Sequence, residues 1–405
     1  MNIATKRHVD FPTYDGHPFT EENLLDSRDF FKTIRNLGDA VWVPTIDAFI
    51  VARYQDVVKA LRAPEKLINS KGVSLNQFVN SQTANGPGVS TILTDGAEHK
   101  HLKKISSKPL TPAGITSLKD KVANLADERV KSLANGEPFE AVEQLASFLP
   151  LTIIAEMVGI KNVDNDKLIT WSSAIQDAFA PLEYVRSETA GAVVGAFFEY
   201  MQSIERKDLV PGGWADQLFA AADAGEITLE QARGLMSDYI VPSLDTTIYS
   251  TGEMLHSLAT TPGAWEKLKA NPDLISSVVD ESVRLATPLR GFARFVTEDF
   301  ELSESKLPAG SYVWLMYGAA NRDERKYPDP DVFDVERNPR DHLGWGHGVH
   351  LCLGKHLARL EMESILHALL KYVDRIEAEP PSRVVNNIAQ GYKEMNMRFI
   401  AIGRN

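Results

Sequence analysis

The stretch "GWGHGVHLCLGKH" (Gly344–His356) holds the only cysteine of the 405-residue chain, with three histidines close to it. Imidazole and thiolate groups both bind zinc, so one hypothesis is a zinc site made of His347, His350, Cys352 and His356. However, "HGVHLC" crowds three potential ligands into six residues, whereas zinc motifs usually take them from separated pairs. A second hypothesis treats Cys352 as a small buried hydrophobic residue beside ordinary surface histidines.

The glycines around the cysteine support a third hypothesis. Gly346, Gly348 and Gly354 surround Cys352 in a tight loop, which leads into the helical pattern "LGKHLARLEMESILHALLKYV". A thiolate at a helix N-terminus is stabilised by the helix dipole and by backbone N–H groups. A sulfur held in this way suits an iron atom that must be electron-rich. The loop is therefore a candidate iron-binding site with Cys352 as the ligand.

The composition limits the class of protein and its partners. The chain has a formal net charge of -12, which argues against a nucleic-acid partner bound through its phosphates. A single cysteine precludes an internal disulfide, and no run approaches the roughly 18 apolar residues that span a bilayer. We therefore expect a soluble, cytoplasmic protein without a membrane segment.

Most of the chain has the three- and four-residue apolar spacing of helices, and strand signals are few. The segments "AVWVP" and "AFIVARY" predict one hairpin, and "RFVTEDFEL" with "SYVWLMY" predicts a second small sheet. No repeat, low-complexity tract or Gly/Ser linker marks a domain boundary. These features predict a mainly α protein with a small β part, folded as a single domain over residues 1–405.

A long apolar pattern over residues 228–261 predicts one central helix. Pro242 interrupts it at a cost of about 3 kcal/mol, because proline lacks a backbone N–H and clashes with the preceding turn. Helix breaks of this kind are tolerated mostly where they serve a site. Asp245 and Thr246 follow the break directly, and an acid beside a hydroxyl is a good candidate for delivering protons.

Several of these residues match the motifs of a known family. The haem-binding signature of cytochrome P450 is similar to the pattern of Trp345, Gly348, Cys352 and Gly354, with Trp345 in place of the usual Phe. "ESVR" resembles the family's E-x-x-R motif, and "NRDERKYPDPDVF" resembles the segment that leads to its cysteine loop. The resemblance implies the cytochrome P450 fold, with a long central helix over haem b and Cys352 as the axial ligand of the iron.

The resemblance also implies roles for residues around the haem. Asp245 and Thr246 stand where the family carries the acid–alcohol pair that delivers protons during O2 activation. Pro242 and Ser243 depart from the small residues that usually precede this pair. Contacts with the haem propionates are implied for His99, Lys103, Arg294 and His350. Lys103 stands where the family more often has Arg, so a point charge replaces a bidentate clamp there.

The resemblance is closest to soluble bacterial members that oxidise para-substituted benzoic acids, including by O-demethylation. It implies a substrate pocket lined by Phe179, Ser243, Leu244, Leu289, Arg290, Phe292 and Tyr392. However, "NGPGVSTIL" offers no arginine for a carboxylate, so a neutral phenol or aryl ether is equally open, with Arg290 as an alternative cation. We expect a monooxygenase that hydroxylates or O-demethylates a small aromatic compound of the methoxybenzoate or methoxyphenol type.

The expected partners follow from the resemblance, since no flavin or iron–sulfur segment is visible in the chain. Electrons are expected from NAD(P)H through a ferredoxin reductase and a ferredoxin. An acidic ferredoxin would dock on a basic face made of Lys100, Lys103, Lys104, Lys108, Lys355 and Arg359. Three alternatives stay open: oxidation of another small hydrophobic compound such as a terpenoid, a zinc-binding or structural helical protein, and a haem enzyme that uses peroxide or isomerises its substrate.

Overall fold

Helices dominate the computed structural model of the protein, which describes residues 11–85, 90–162, 164–181 and 185–403. Within these residues the α-helices are α1 (Glu21–Leu25), α2 (Arg28–Leu37), α3 (Tyr54–Leu61), α4 (Gln77–Asn85), α5 (Gly96–Ser106), α6 (Lys119–Leu133), α7 (Phe148–Val158), α8 (Asn165–Asp177), α9 (Val185–Ser203), α10 (Trp214–Asp223), α11 (Leu229–Ile240), α12 (Asp245–Thr260), α13 (Ala264–Ala270), α14 (Ile275–Ala286), α15 (Tyr317–Ala320) and α16 (Lys355–Tyr372). The predicted mainly α class is confirmed. In the part of the chain described, no helix is both long and apolar enough to cross a bilayer.

The strands form small sheets. They are β1 (Val41–Val43), β2 (Ala48–Val51), β3 (Leu67–Ile68), β4 (Pro138–Glu140), β5 (Phe292–Val296), β6 (Phe300–Glu301), β7 (Lys306–Leu307), β8 (Tyr312–Leu315), β9 (Val373–Ala378), β10 (Ser382–Arg383), β11 (Tyr392–Glu394) and β12 (Asn396–Ala401). The predicted hairpin is the antiparallel pair β1–β2, and β5 pairs antiparallel with β8. These pairs belong to one sheet of order β1-β2-β8-β5-β3, because β2 and β8 pair in parallel. The prediction of two separate sheets was therefore wrong.

The predicted central helix is divided in two. α11 begins at a capping box in which Thr228 Oγ1 accepts from the N–H of Gln231 at 3.0 Å, and Gln231 Oε1 accepts from the N–H of Thr228 at 2.9 Å. It ends at Ile240, and α12 starts at Asp245 after a turn over residues 241–244. Pro242 has no N–H to continue the helical ladder, so the interruption is a break and not a kink.

The helical core fixes the two helix starts that matter for the site. α16 packs on α6 and α14, and α12 packs on α14. Leu255 of α12, Val279 of α14 and Leu366 of α16 have no exposed surface. Full burial of such a side chain is worth about 1.5–3 kcal/mol. One packed framework therefore carries both α12, which begins at Asp245, and α16, which begins three residues after Cys352.

Candidate active site

The cysteine loop is closed by its own backbone and by glycines. The N–H of Cys352 donates to the carbonyl of Trp345 at 2.9 Å. Gly348 has a φ of 70°, and a Cβ there would lie 2.6 Å from the carbonyl oxygen of Leu61. A side chain at this position would therefore collide with the backbone as well as strain the loop. The loop ends at Gly354, where α16 begins.

The Cys352 side chain lies at the N-terminus of α16. Burial raises the pKa of its thiol, while the backbone N–H groups of Gly354 and Lys355 and the charges of Lys103 and Lys355 lower that pKa. The same residue nevertheless retains free surface. The residue is thus open to solvent although protein atoms surround its sulfur, and N–H groups at a helix start favour its thiolate. This arrangement fits the axial ligand of a haem iron.

The histidines of the loop do not assemble around the cysteine. Within residues 11–85, 90–162, 164–181 and 185–403, no group of three His, Cys, Asp or Glu side chains is arranged to hold a metal ion. His347 Nε2 instead accepts from Arg62 Nε at 3.1 Å. The ring of His350 lies 4.3 Å from the ring of His99. The zinc hypothesis therefore has no support in the geometry.

His99, His350 and Arg294 converge from different elements of the fold. His99 lies on α5 and is 4% exposed, and Arg294 lies on β5 and is 3% exposed. Burial, followed by the charge of Arg294, lowers the pKa of His350 strongly, so this imidazole is neutral at pH 7. Arg294 Nη2 donates to the hydroxyl of Tyr317 at 3.4 Å. The group supplies the donors that carboxylates of a buried cofactor need.

The fit to haem is supported by two buried polar atoms. His350 Nε2 and Trp345 Nε1 are buried, and neither has a hydrogen-bond partner among the described residues. Buried donors without partners are costly, by about 1–3 kcal/mol each, and usually mark a group that is bound there. His350 lies in the donor cluster with His99 and Arg294, and Trp345 in the cysteine loop. The donor set and the thiolate site together suit haem.

Lys103 contacts the backbone of the cysteine loop. Its Nζ donates to the carbonyls of Val349 and Leu351, at 3.1 Å for the latter. Burial lowers the pKa of Lys103, and the charge of Cys352 raises it. The lysine thus holds the backbone of the cysteine loop and places a positive charge near the sulfur. A contact between Lys103 and a propionate stays a prediction.

The pair in "ESVR" forms a fully buried ion network. Arg284 Nε and Nη2 donate to the two carboxylate oxygens of Glu281 at 2.7 and 2.8 Å, and both side chains have 0% exposure. Arg337 Nε adds a third donor to Glu281 at 3.0 Å. Arg284 Nη1 donates to the carbonyls of Asn321 and Pro330. The network therefore ties α14 to the segment that leads into the cysteine loop.

Asp245 and Thr246 stand at the start of α12, directly after the helix break. Asp245 is 2% exposed, and its Oδ2 accepts from Gln176 Nε2 at 3.2 Å. Burial raises the pKa of Asp245 to about 7, against the effect of hydrogen bonds from Ser172 and Gln176. Thr246 Oγ1 donates to the carbonyl of Pro242 at 2.6 Å. An acid that titrates near neutral pH is well matched to taking up and releasing protons.

Some of the predicted substrate residues form an aromatic group with Tyr317. The ring of Phe292 lies 5.9 Å from the ring of Phe179 and 6.0 Å from that of Tyr317. Phe179, Phe292, Ser243 and Leu289 are partly exposed, so each has surface with which to meet a ligand. Their contact with a substrate stays a prediction. Tyr317 was missed because its sequence neighbours, "LMYGAA", look like ordinary core.

Three other predicted substrate residues are engaged elsewhere. Leu244 has 0% exposure and packs in the helical core, so it has no surface to offer to a ligand. Arg290 is 2% exposed and donates to Ser27 Oγ and to the carbonyls of Leu24, Asn386 and Asn387. These four hydrogen bonds join the N-terminal helices to a C-terminal loop. Arg290 is therefore a structural residue and not a pocket cation.

Tyr392 was also placed wrongly. Its hydroxyl contacts Glu253 Oε2 at 3.2 Å and His256 Nδ1 at 3.1 Å. Both partners lie in α12, but two or more turns beyond Thr246. The residue is 3% exposed and packs with its ring 5.0 Å from that of His256. Its role is to join β11 to the far part of α12.

Asp238 was overlooked as a site residue, although it lies four residues before Pro242. Its carboxylate accepts hydrogen bonds from Ser90 Oγ and, at 2.9 and 2.8 Å, from Thr91 N and Oγ1. Farther along the same segment, Asp95 Oδ1 lies 4.0 Å from His350 Nε2. Residues 90–95 therefore connect Asp238, one turn before the helix break, with His350. The preceding residues 86–89, part of "NGPGVSTIL", lie outside the described residues.

Comparisons with known proteins agree with this geometry. A sequence model described as Cytochrome P450 matches residues 214–381. The protein is 32% identical over 384 residues to Cytochrome p450 CYP199A2 of Rhodopseudomonas palustris, which covers 94% of this chain and 93% of that relative. It is 27% identical over 390 residues to linalool 8-monooxygenase of Pseudomonas putida, covering 92% and 95% of the two chains.

A solved structure shows the same architecture. Cytochrome P450 CYP109Q5 from Chondromyces apiculatus matches with a TM-score of 0.78 at 25% identity, covering 97% of this chain and 99% of that chain. The match extends over the helices and the small sheets that hold the cysteine loop. With a relative at 32% identity along nearly its full length, the chain belongs to the cytochrome P450 family of monooxygenases.

Proposed function

We propose that the protein hydroxylates or oxidatively O-demethylates a small aromatic substrate, with a neutral phenol or aryl ether preferred over a benzoate. The observation that carries this proposal is the aromatic group of Phe179, Phe292 and Tyr317. It lies beside the haem donors, because the Tyr317 hydroxyl accepts from Arg294. Aromatic walls with few polar anchors suit a flat aromatic ligand.

As a cytochrome P450 monooxygenase, the protein uses O2, haem b and redox partner proteins. Bound haem with a thiolate ligand supplies the reductive activation of dioxygen, so that one oxygen atom enters a C–H bond of the substrate. The residues of the chain orient the substrate and hold protons for this reaction, at Asp245 and Thr246. Hydroxylation of a methoxy carbon would give a hemiacetal that breaks down to formaldehyde and a phenol.

The charges near the site favour a neutral substrate. A benzoate needs a cation in the pocket, because a buried carboxylate without a partner is costly. Arg290 donates to three backbone carbonyls and to the Ser27 hydroxyl, Lys103 holds the cysteine loop, and Arg294 lies in the histidine cluster. Asp238, at the helix break, is itself an acid. Burial raises its pKa against three hydrogen bonds, and neither protonation state supplies a positive charge.

A titration of the ferric protein tests the proposal. We expect 4-methoxyphenol to convert low-spin iron to high-spin at concentrations at least about tenfold lower than 4-methoxybenzoate, a difference of about 1.4 kcal/mol. Product analysis with the reduced partner system would then show hydroquinone and formaldehyde. A spin shift with the benzoate alone would contradict the neutral preference. No shift with any aromatic compound would overturn the aromatic substrate class.

The variant Asp238→Asn tests whether the charge of Asp238 causes the preference for a neutral substrate over a benzoate. In Asp238→Asn the side chain keeps its shape and one oxygen acceptor for Thr91, but it can no longer carry a negative charge. At a pH high enough to ionise Asp238, whose pKa burial raises, we expect benzoate to bind at least about tenfold more tightly to this variant, because juxtaposed like charges repel, while the affinity for the phenol stays within about twofold. An unchanged ratio of the two affinities would rule out Asp238 as the selective residue.

The alternative substrate class is a terpenoid. It is favoured by one observation, the similarity to linalool 8-monooxygenase at 27% identity over 92% of this chain. A terpene alcohol would place branched aliphatic surface against the aromatic group. The same spin-state titration with linalool decides between the two classes, because the ligand that binds more tightly identifies the one that the pocket fits.

We propose a ferredoxin with its NAD(P)H-dependent reductase as the electron donor, docking on the basic face around the cysteine loop. Lys108 lies near Glu226, at 4.0 Å, and Arg359 is paired with Asp280 and Glu363, so their charges are partly compensated. Lys100 and Lys104 of α5 are exposed. Positive charges that remain unpaired accelerate the encounter with an acidic partner.

Reversal of one charge on this face tests the docking site. In Lys104→Glu we expect reduction by an acidic ferredoxin to slow by about 3–10-fold at low salt, and the difference to shrink as ionic strength rises. Lys167→Glu on α8, an exposed lysine outside this face, serves as the control and should change the rate little. Equal rates for Lys104→Glu and the unmodified protein at low salt would exclude Lys104 from the contact.

A further inference from the structure

Asp245 has acidic and not basic neighbours in the described part of the chain. Burial raises the pKa of the Tyr249 hydroxyl, and the charges of Asp245 and of Asp177 at the end of α8 raise it further, so both carboxylates lie near Tyr249 of α12. Within the described residues no Lys, Arg or His donates a hydrogen bond to Asp245. Its polar contacts come from Ser172 and Gln176, which lie one turn apart on α8. The acid is therefore held by the amide of Gln176, with the Ser172 hydroxyl nearby, and not by an ion pair.

Ser172 also contacts the turn between α11 and α12, and Gln176 contacts Ser172. Ser172 Oγ donates to the carbonyl of Val241 at 2.7 Å, and this carbonyl lies in the turn between α11 and α12. Gln176 Nε2 contacts both Ser172 Oγ at 3.3 Å and Asp245 Oδ2 at 3.2 Å. Ser172 has 0% exposure and Gln176 has 4%. Ser172 and Gln176 of α8 thus form one continuous chain of hydrogen bonds from the Val241 carbonyl to the Asp245 carboxylate.

One atom of Gln176 has no partner. Its Oε1 is buried and accepts no hydrogen bond within the part of the chain that the structure describes. An amide carries two N–H donors on one side and an acceptor oxygen on the other. Toward a carboxylate it can donate through Nε2, and after rotation about its last torsion it can accept through Oε1 from a carboxylic acid. A buried acceptor without a partner destabilises the fold, and this rotation would give Oε1 a partner.

We infer that Gln176 is the positioning residue of the proton-delivering acid, holding Asp245 in both of its protonation states. When Asp245 takes a proton from solvent, an O–H bond forms and Gln176 rotates to accept from it. When that O–H bond breaks, the proton bonds to the Thr246 oxygen as Thr246 releases its own hydroxyl proton toward O2, and Gln176 Nε2 donates again. No charge beyond the proton moves, so no ion pair has to separate. This inference rests on the role proposed for Asp245 and Thr246.

The experiment measures the protonation of Asp245 separately from turnover. Infrared spectra of the full-length holoenzyme labelled with ¹³C-aspartate, in which the Asp245 band is assigned with Asp245→Asn, give its apparent pKa between pH 5 and 9. The variants are Gln176→Leu, which removes both functions of the amide, and Gln176→Asn, which keeps the amide on a shorter chain. Ser187→Ala is the control, because the Ser187 hydroxyl fixes the end of α8 through Asp177 O and Ala180 O without reaching Asp245.

We expect Gln176→Leu to raise the apparent pKa of Asp245 by about one unit, because the hydrogen bond lost from the charged form is stronger than the one lost from the neutral acid. The pH at which half of the NADH consumed yields product should move by the same amount. Gln176→Asn should restore part of the shift, and Ser187→Ala should leave both values unchanged. An unchanged pKa in Gln176→Leu, or an equal shift in Ser187→Ala, would overturn the inference. Full coupling in Asp245→Asn would instead refute the role of the acid itself.

Discussion

Replacement of Glu281 by Gln is expected to lower the free energy of unfolding by about 3–5 kcal/mol, the usual cost of breaking a buried ion pair from one side. Glu281 accepts from Arg284 at two oxygens and from Arg337 at one, and Glu281 and Arg284 have no exposed surface. The amide keeps one acceptor but turns a donor toward Arg284. The guanidinium of Arg284 is then left buried without a compensating charge.

An exposed ion pair provides the control for this prediction. Lys267 and Glu336 lie 2.6 Å apart, but their side chains are 54% and 58% exposed. Exposed pairs contribute about 0–1 kcal/mol, so Glu336→Gln should change stability by no more than that. Urea unfolding of both holoproteins, followed by circular dichroism and by release of haem, compares the two effects. A loss of less than about 1 kcal/mol in Glu281→Gln would show that the network is not a main support of the cysteine loop.

The mainly α class could be predicted from the sequence because it depends on local patterns, whereas the buried network of Glu281, Arg284 and Arg337 joins residues 56 positions apart. Helical spacing, the capping box at Thr228 and the hairpin at β1–β2 are read from neighbouring residues. "ESVR" became informative through its family resemblance, since i,i+3 pairs are otherwise common on exposed helix surfaces. The sequence could not predict that β1–β2 and β5–β8 belong to one sheet, because β2 and β8 pair through residues more than 250 positions apart.

The substrate residues show where inference by position fails. Arg290 and Phe292 are two residues apart, yet Arg290 faces backbone carbonyls while Phe292 faces Phe179 and Tyr317. Residues i and i+2 of one strand share a face, but Arg290 precedes β5 while Phe292 begins it, and sequence alone does not say where the strand starts. Gln176 left no signal in the sequence, because a single polar residue on an amphipathic helix usually faces solvent. Only the packing of α8 on the helix break gives it a role.

Asp245→Asn is expected to stabilise the fold while disabling proton delivery. Burial raises the pKa of Asp245 from 3.8 to about 7, so the folded protein binds a proton more tightly here than the unfolded chain does. Below pH 3.8 both states are protonated and the residue contributes no difference in stability. As the pH rises, the unfolded chain ionises first, and the folded state becomes less stable until about pH 7. About three pKa units correspond to about 4 kcal/mol.

Asn removes this penalty, since it never ionises and its Oδ1 can still accept from Gln176 Nε2. We therefore expect Asp245→Asn to unfold at higher urea concentration at pH 8, by up to about 4 kcal/mol, and to match the unmodified protein near pH 4. Exposed Asp273→Asn is the control and should change neither.

The same variant should form product about 10²- to 10⁴-fold more slowly, the usual contribution of a positioned proton donor, while it continues to consume NADH. The two effects share one cause, because the desolvation that destabilises the ionised carboxylate also brings its pKa close to the pH at which it must exchange protons. A gain in stability without loss of coupling would show that Asp245 is a buried acid with no part in catalysis. A loss of coupling without the pH-dependent gain in stability would show that the Asp245 carboxyl is ionised in the folded protein. Positive charges other than the neutral contacts from Gln176 and Ser172 would then have to stabilise it.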